Sequence, residues 1–385
     1  MMAPDHRKIP NKMIPSWRKG MLAEVAGLLE KLTYGETLTA EETRRAFNVI
    51  GNEDTESYFY LALTFGLMTR GPTLDELYGV CLDRADRVSL IEIPGIDSDS
   101  IIDLSGGGGG AIKTINVSTL ASLIVASAGV YVAKQAASAV TSSTGSRDLL
   151  ETLGIQVPLT DGDPKIVQDC LRRFRLAPYN YAAFSPGRFD NFLRWRNKIR
   201  EISLTYLTPW HLVSFVYSPI AMTSRVYGLF SERYIMTIAE LLQRFGYHRA
   251  LVVHGRDGLD EISNVGPTAV CEIKDGNISE YTITPSDLGV LEAKPTSIES
   301  ISREDNILDF LRIIYRKDRG PKRDLVTVNA GAGLYVAGKA SSLREGTKLA
   351  ESLLESGAAA EKLEQLIDFS HGGAKLDAWR SVADV

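Results

Sequence analysis

The sequence predicts an α/β protein with an all-α unit at its N-terminus, and three stretches carry that expectation. From Trp17 to about Asp86, apolar positions recur at helical spacing and no strand-like run interrupts them. Ile101 to Thr119 reads as strand, glycine loop and helix start. Residues 225–254 then give strand, helix, strand, and Cys271 to Thr284 alternates around a turn. A central sheet covered by helices, preceded by a helical domain, accommodates all three.

Bulk properties fit this architecture. The 385 residues are 44% hydrophobic and 24% charged, enough for two domains and a sizeable core. A net charge of −5 gives no general attraction to nucleic acid or to an acidic membrane. Cys81, Cys170 and Cys271 lie far apart and show no CxxC spacing. That points to a reducing compartment, the cytoplasm, with the cysteines as packing residues. The N-terminus has no apolar signal core, and residues 1–15 read as a tail. Ile115 to Ala133 is apolar enough to suggest a membrane span, but it carries Asn116, Ser118, Thr119, Ser122 and Ser127. A buried helix is expected there.

The elements follow in order. Met21, Val25, Leu28, Leu29 and Leu32 mark a first helix. Thr39 before Glu41 and Glu42, and Thr73 before Asp75 and Glu76, are helix starts with acids in the first turn. Tyr58 to Met68 is a further helix. These make a helical domain over 16–88, with a segment near 180–215 expected to pack with it; it offers no cluster that suggests chemistry. The α/β domain is expected over 89–367. Ser89 to Ile93 reads as a strand, then Ile101 to Leu104. Leu149, Leu150 and Leu153 form a helix that stops at Gly154. Arg225 to Phe230 and Ala250 to His254 are strands around a helix from Tyr234 to Phe245. Cys271 to Thr284 is a hairpin turning at Asp275-Gly-Asn277. Asp305 to Tyr315 is helical, Leu325 to Ala330 a strand, and Gly331 to Gly357 becomes an amphipathic helix. Residues 368–385 have no assignment beyond a C-terminal tail.

Four stretches suggest chemistry. Gly106 to Gly110 are five consecutive glycines between a strand and a helix start. Such a loop brings backbone N–H groups close to an anion, and a helix N-terminus adds its dipole. A bare glycine turn reads the same way. A second loop, Ser138 to Ser146, is crowded with hydroxyls that suit a phosphate ester or simply a polar surface. Residues 165–200 hold nine basic and two acidic residues interleaved with Phe174, Tyr179, Tyr181, Phe184, Phe189, Phe192 and Trp195. That pattern suits an anionic aromatic ligand or single-stranded nucleic acid, and equally a solvated basic helix with core aromatics. Asp260 and Glu261 are adjacent carboxylates after a strand, a plausible Mg²⁺ site because Mg²⁺ takes one or two carboxylates plus substrate oxygens.

The order of these pieces resembles the anthranilate phosphoribosyltransferase family. The family loop G-T-G-G-D followed by N-[VI]-S-T corresponds to Gly106–Gly110 and Asn116-Val-Ser-Thr119. The family's K-H-G-N-R-A-V-S-S-x-S-G-S-x-D corresponds to Lys134–Asp148. Its V-H-G-x-D-G-L-D-E is reproduced at Val253–Glu261, and its C-terminal N-A-x-x-x-L-Y-V-A-G-K-A-x-S-L-R-E-G at Asn329–Gly346. The resemblance implies a sheet of the nucleoside phosphorylase and phosphoribosyltransferase type, a homodimer formed through the helical domain, and phosphoribosyl pyrophosphate (PRPP) bound with Mg²⁺. It implies that Gly106, Gly107, Gly108, Gly109, Asn116, Ser118, Thr119, Lys134, Ser142, Gly145 and Ser146 hold the donor. Ser118, Asp260 and Glu261 would hold the metal.

The departures touch both loops. The family's aspartate after the glycines is Gly110, and its threonine is Gly107. K-H-G-N has become Lys134-Gln-Ala-Ala137, so Gln135 and Ala137 replace the His and Asn that help hold anthranilate. Arg200 is the nearest counterpart of the family's acceptor-binding arginine, with Arg196 a competitor. The expected function is phosphoribosyl transfer to anthranilate or another small aromatic. Alternatives are a non-catalytic family member that binds nucleic acid or another anion through 165–200, and nucleoside phosphorolysis. No residue stands out as the catalytic acid or base.

Overall fold

The computed structural model describes residues 21–52, 57–138, 144–156, 162–184 and 207–385. The expected tail 1–15, Ser142, Arg200 and Arg196 lie outside these residues. The chain divides into two compact units, Met1–Asp83 with Asp190–Pro209, and Arg84–Phe189 with Trp210–Val385. The division falls at Asp83 rather than after 88. Arg84 already belongs to the second unit, where its guanidinium lies 4.1 Å from the Tyr181 ring and its carbonyl accepts the Tyr181 hydroxyl at 2.7 Å.

The first unit contains α1 (Met21–Thr33), α2 (Ala40–Asn52), α3 (Ser57–Arg70) and α4 (Leu74–Asp86) up to Asp83. Both expected helix starts are capping boxes. Thr39 Oγ1 accepts the Glu42 N–H at 3.2 Å while Glu42 accepts the Thr39 N–H at 3.0 Å, and Thr73 and Glu76 repeat the exchange. Glu76 is fully buried. Its carboxylate also accepts the Leu38 N–H at 2.8 Å and pairs with Arg70, so one side chain ties three segments together.

The second unit is built on seven strands: β1 (Ile101–Gly106), β2 (Tyr131–Gln135), β3 (Leu176–Tyr179), β4 (Ser224–Gly228), β5 (Arg249–Gly255), β6 (Thr268–Lys274) and β7 (Asn277–Ile283). Their order is β3-β2-β1-β4-β5-β6-β7. The first five are parallel, and β6 and β7 run antiparallel. The hairpin turns at Asp275 and Gly276, both with positive φ, as the Asp-Gly pair requires. The chain leaves β1 toward β2 and β3, then returns to the other side of β1 as β4. That makes the β1/β4 junction the switch point of the sheet, where α/β proteins bind ligands.

Helices cover the sheet: α5 (Val117–Ser127), α6 (Ser146–Thr152), α7 (Pro164–Phe174), α8 (Ile235–Arg244), α9 (Arg303–Ile314), α10 (Pro321–Val336), α11 (Leu343–Ser356), α12 (Ala358–Phe369) and α13 (Gly373–Ala383). Four expectations are corrected here. Ser89–Ile93 is no strand; it makes one isolated bridge, Ile91 to Ile220. The apolar run to Ala133 is not one helix but α5, a turn, and β2, both buried elements that read alike in sequence. Leu325–Ala330 belongs to α10, not to a strand. That helix is buried almost all round, so it shows no helical period. Its Gly331 lets α11 approach: a Cβ there would lie 2.4 Å from the Thr347 backbone nitrogen. The residues after 367 are ordered into α13, which buries Leu376 and Ala383.

Candidate active site

The five glycines follow β1 at the switch point, and each kind of glycine has a physical reason. Gly108 and Gly109 have φ of 78° and 89°, which side chains rarely adopt. At Gly106 and Gly110 space decides: a Cβ would lie 2.7 Å and 2.5 Å from the Asp260 carboxylate oxygens. The Gly107 N–H is held by the Gly228 carbonyl at 2.8 Å, which fastens the loop across to β4. The Gly108 N–H donates to Asp260 Oδ2 at 2.7 Å.

Asn116 is the N-cap of α5, and Ser118 and Thr119 lie in its first turn, a short stretch after this loop. The Asn116 side chain donates to the Thr144 carbonyl at 3.3 Å, and its Oδ1 is buried with no partner. Thr119 Oγ1 is likewise buried and unpartnered. Lys134 reaches from β2 beneath the loop. Its ammonium donates to the Leu104 carbonyl at 2.8 Å and to Ser118 Oγ at 3.2 Å. Burial pulls that ammonium below its ordinary range, with Arg225 adding to the effect, while Asp103 and Glu261 oppose it.

Asp260 and Glu261 sit after β5. Burial raises the Asp260 carboxyl, against the Gly108 N–H. Burial and then the neighbouring Asp260 charge push Glu261 well above the usual carboxylate range, with Lys134 opposing. Glu261 Oε2 is buried without a hydrogen-bond partner. Two adjacent desolvated carboxylates, one with an orphaned oxygen, are an arrangement that a cation completes. No group of three ligating side chains exists among the described residues, so a cation here would need ligands from elsewhere. That suits Mg²⁺ bridging to a phosphate.

Sequence reasoning missed the residues behind this site. Asn329 on α10 clamps Ile262: its Oδ1 accepts the Ile262 N–H at 3.0 Å, and its amide donates to the Ile262 and Leu325 carbonyls, each at 2.8 Å. The turn after Glu261 is thereby fixed from beneath. The Asn opens the C-terminal motif, but reading 325–330 as a strand hid its direction. Asp103 and Arg225 were also missed. They are register partners on β1 and β4, fully buried, and paired at 3.4 Å, and Ser105 Oγ donates to Asp103 at 2.9 Å.

The acceptor residues are only partly placed. Gln135 ends β2, 5% exposed, with its Oε1 buried and unpartnered. The Ala137 N–H donates to Ser146 Oγ at 3.1 Å, so Ser146 holds the backbone just after β2. The Gly145 N–H donates to Asp148 at 3.0 Å. In the 165–200 stretch, Phe174, Tyr179, Tyr181 and Phe184 are all buried. They belong to the core and offer no stacking surface. Arg173 lies over the rings of Phe174 and Phe369, and Arg175 lies 4.0 Å from the Tyr131 ring.

Comparison with known proteins agrees with this geometry. The profile described as "Glycosyl transferase family, a/b domain" matches residues 98–360. Anthranilate phosphoribosyltransferase of Rubrobacter xylanophilus is 35% identical over 342 residues, 89% of this chain and 96% of that protein. The chain belongs to the anthranilate phosphoribosyltransferase family. The enzyme of that name from Methanosarcina acetivorans is 37% identical over 345 residues, 89% of each protein. The crystal structure of the Thermus thermophilus anthranilate phosphoribosyltransferase superposes with a TM-score of 0.78 at 29% identity, covering 89% of this chain and 99% of that one. The Saccharomyces cerevisiae member, solved with PRPP and Mg, has the same fold, with a TM-score of 0.77 at 22% identity, covering 91% of this chain and 98% of that one.

Proposed function

We propose that this protein transfers the phosphoribosyl group of PRPP to the amine of anthranilate or a closely related small aromatic, releasing pyrophosphate. One observation carries the proposal. The glycine-loop amides, Lys134 and the Asp260–Glu261 pair converge at the switch point of a sheet belonging to this family. In the reaction the amine nitrogen bonds to the anomeric carbon as the bond from that carbon to pyrophosphate breaks. The electron pair leaves on pyrophosphate, and the amine loses a proton.

The residues act by binding and charge. Gly106, Gly107, Gly108 and Gly109 present backbone to the diphosphate. Lys134 places a cation under it. Thr119 has a free hydroxyl, and Ser142, Gly145 and Ser146 supply the second loop. Asp260, Glu261 and Ser118 would hold Mg²⁺, which supplies neutralisation of the leaving diphosphate. Preorganised positive charge in a site screened from water suffices to speed such a departure, so no protein base is required. Asn329 and the Asp103–Arg225 pair keep these groups in place.

Gln135, Ala137 and Arg200 are assigned to the acceptor. We further infer a homodimer through the first unit, where α3 shows Tyr58 and Phe65, 59% and 57% exposed and seven residues apart on one face. Three buried cysteine thiols suit the cytoplasm, and no helix among the described residues is long and apolar enough to cross a membrane. Pyrophosphate release is the test, measured with PRPP, Mg²⁺ and a panel of aromatic amines. Release that requires all three is expected. No release with any amine overturns the assignment.

A further inference from the structure

Asp260 meets the glycine loop with both carboxylate oxygens. Oδ2 accepts the Gly108 N–H at 2.7 Å, and Oδ1 lies where a side chain at residue 110 would be, 2.5 Å from the position of a Cβ. The seat exists because residue 110 is glycine; the family's loop places an aspartate there, and any Cβ would displace the carboxylate. Gly108 and Gly109 both have positive φ, and in the loop so turned the Gly108 N–H is given to the carboxylate. A carboxylate is an anion, and this one occupies a loop amide that an incoming anion would need.

We propose that Asp260 is a specificity-determining residue. Its carboxylate takes the anion position on the glycine loop, so the site rejects free diphosphate and accepts it only with a divalent cation that draws the carboxylate away. The inference rests on reading the loop as the diphosphate site. One N–H cannot serve two acceptors in line, and two anions at hydrogen-bond distance of the same amide repel. Without a cation the incoming diphosphate competes with a tethered carboxylate. With one, the same carboxylate becomes a ligand. Asp260 thereby couples donor binding to the metal. Glu261 carries equal charge one residue on and leaves an oxygen unpartnered, which makes it the charge control.

The experiment is calorimetric titration of inorganic pyrophosphate into the full chain, once with Mg²⁺ and once with a chelator. Wild type is compared with Asp260→Ala, Gly110→Ala and Glu261→Gln, each checked for folding by thermal melt. Gly110→Ala expels the carboxylate but keeps its charge, so it separates seat occupancy from simple repulsion. Without metal, Asp260→Ala and Gly110→Ala are expected to bind pyrophosphate at least about tenfold more tightly than wild type, the scale of one charge-assisted hydrogen bond. Glu261→Gln changes metal-free binding far less. With Mg²⁺, wild type binds tightly and Asp260→Ala loses most of the gain that metal gives. If wild type binds the Mg²⁺ complex but neither Asp260→Ala nor Gly110→Ala improves metal-free binding, the proposal is overturned. It is equally overturned if Glu261→Gln improves it as much as Asp260→Ala. If no protein binds pyrophosphate in either condition, the diphosphate reading of the loop falls, and this inference with it.

Discussion

The loop after β1 and the end of β2 lie on neighbouring strands, yet they are built from different material. The side proposed to hold the donor is made of backbone: glycine amides, two positive-φ residues, and the close approach of Asp260. Lys134 is the side chain that anchors it, and it is buried. The side proposed to hold the acceptor is made of side-chain ends, Gln135 at the end of β2 and Ala137 just beyond it, and the strand pairing does not depend on them. Gln135 still pairs with Tyr179, and the Ala136 N–H still donates to the Tyr179 carbonyl at 2.7 Å. Both sides depart from the family, at Gly107 and Gly110 in the loop and at Gln135 and Ala137 after β2's central residues. But the loop now tolerates no added side chain at Gly106 or Gly110 without a collision, whereas the strand pairing is indifferent to the residues that replace His and Asn.

The largest effect should come from the donor side. Lys134→Met removes a buried cation beneath the loop and leaves Glu261 without its compensating charge. A loss on the order of a hundredfold to a thousandfold in kcat/KM is expected. PRPP binding should weaken far more than anthranilate binding, and equal weakening would break the division between the two sides. Asp260→Asn with Glu261→Gln should abolish the Mg²⁺ dependence of PRPP binding, costing on the order of a hundredfold, while the melting profile stays cooperative. Unchanged donor affinity would leave these acids without a part in holding the metal.

The acceptor side gives the next effect, with opposite sign. Gln135→His, Ala136→Gly and Ala137→Asn together should raise kcat/KM for anthranilate by about tenfold, the worth of a recovered hydrogen bond to a charged ligand. Efficient use of anthranilate by the wild type would show instead that the altered motif recognises it as it stands. Asn329→Ala should act at a distance. It frees the turn after Glu261, so the Mg²⁺ concentration needed for half-maximal rate rises several-fold while the KM for anthranilate stays put. A fall in melting temperature alone would leave Asn329 with a structural role only.

The smallest effect is a pH trend. Glu261 is raised above its ordinary value of 4.5, so the folded protein holds this proton more tightly than the unfolded chain. The stabilisation is complete below that value and is lost as pH rises through the higher folded one. Measured without metal, wild-type stability relative to Glu261→Gln should therefore decline from about pH 4.5 upward. A rising difference would mean that the carboxylate is stabilised in the fold.

Much of this architecture was legible because local chemistry is written in few residues. Thr39 with Glu42 and Thr73 with Glu76 announce their helices, and Asp275-Gly276 announces its hairpin. The donor motifs were legible for the same reason: glycine runs and paired acids leave few structural alternatives. What escaped was set by tertiary burial. Val117–Ser127 and Leu325–Val336 are covered on nearly every side, so no period tells helix from strand. Asn329 and the Asp103–Arg225 pair are single polar letters in apolar runs, and only the fold shows what they hold. In the 165–200 stretch composition suggested a binding surface, whereas four of its aromatics fill the core.

The division of the site is tested most directly by titrating PRPP into wild type and Lys134→Met, with Mg²⁺ and with a chelator. Saturable binding of one PRPP per chain is expected for wild type with Mg²⁺, strongly weakened by the chelator and by the substitution. Binding by Lys134→Met as tight as wild type, or no binding by wild type at millimolar PRPP with Mg²⁺, would contradict the account.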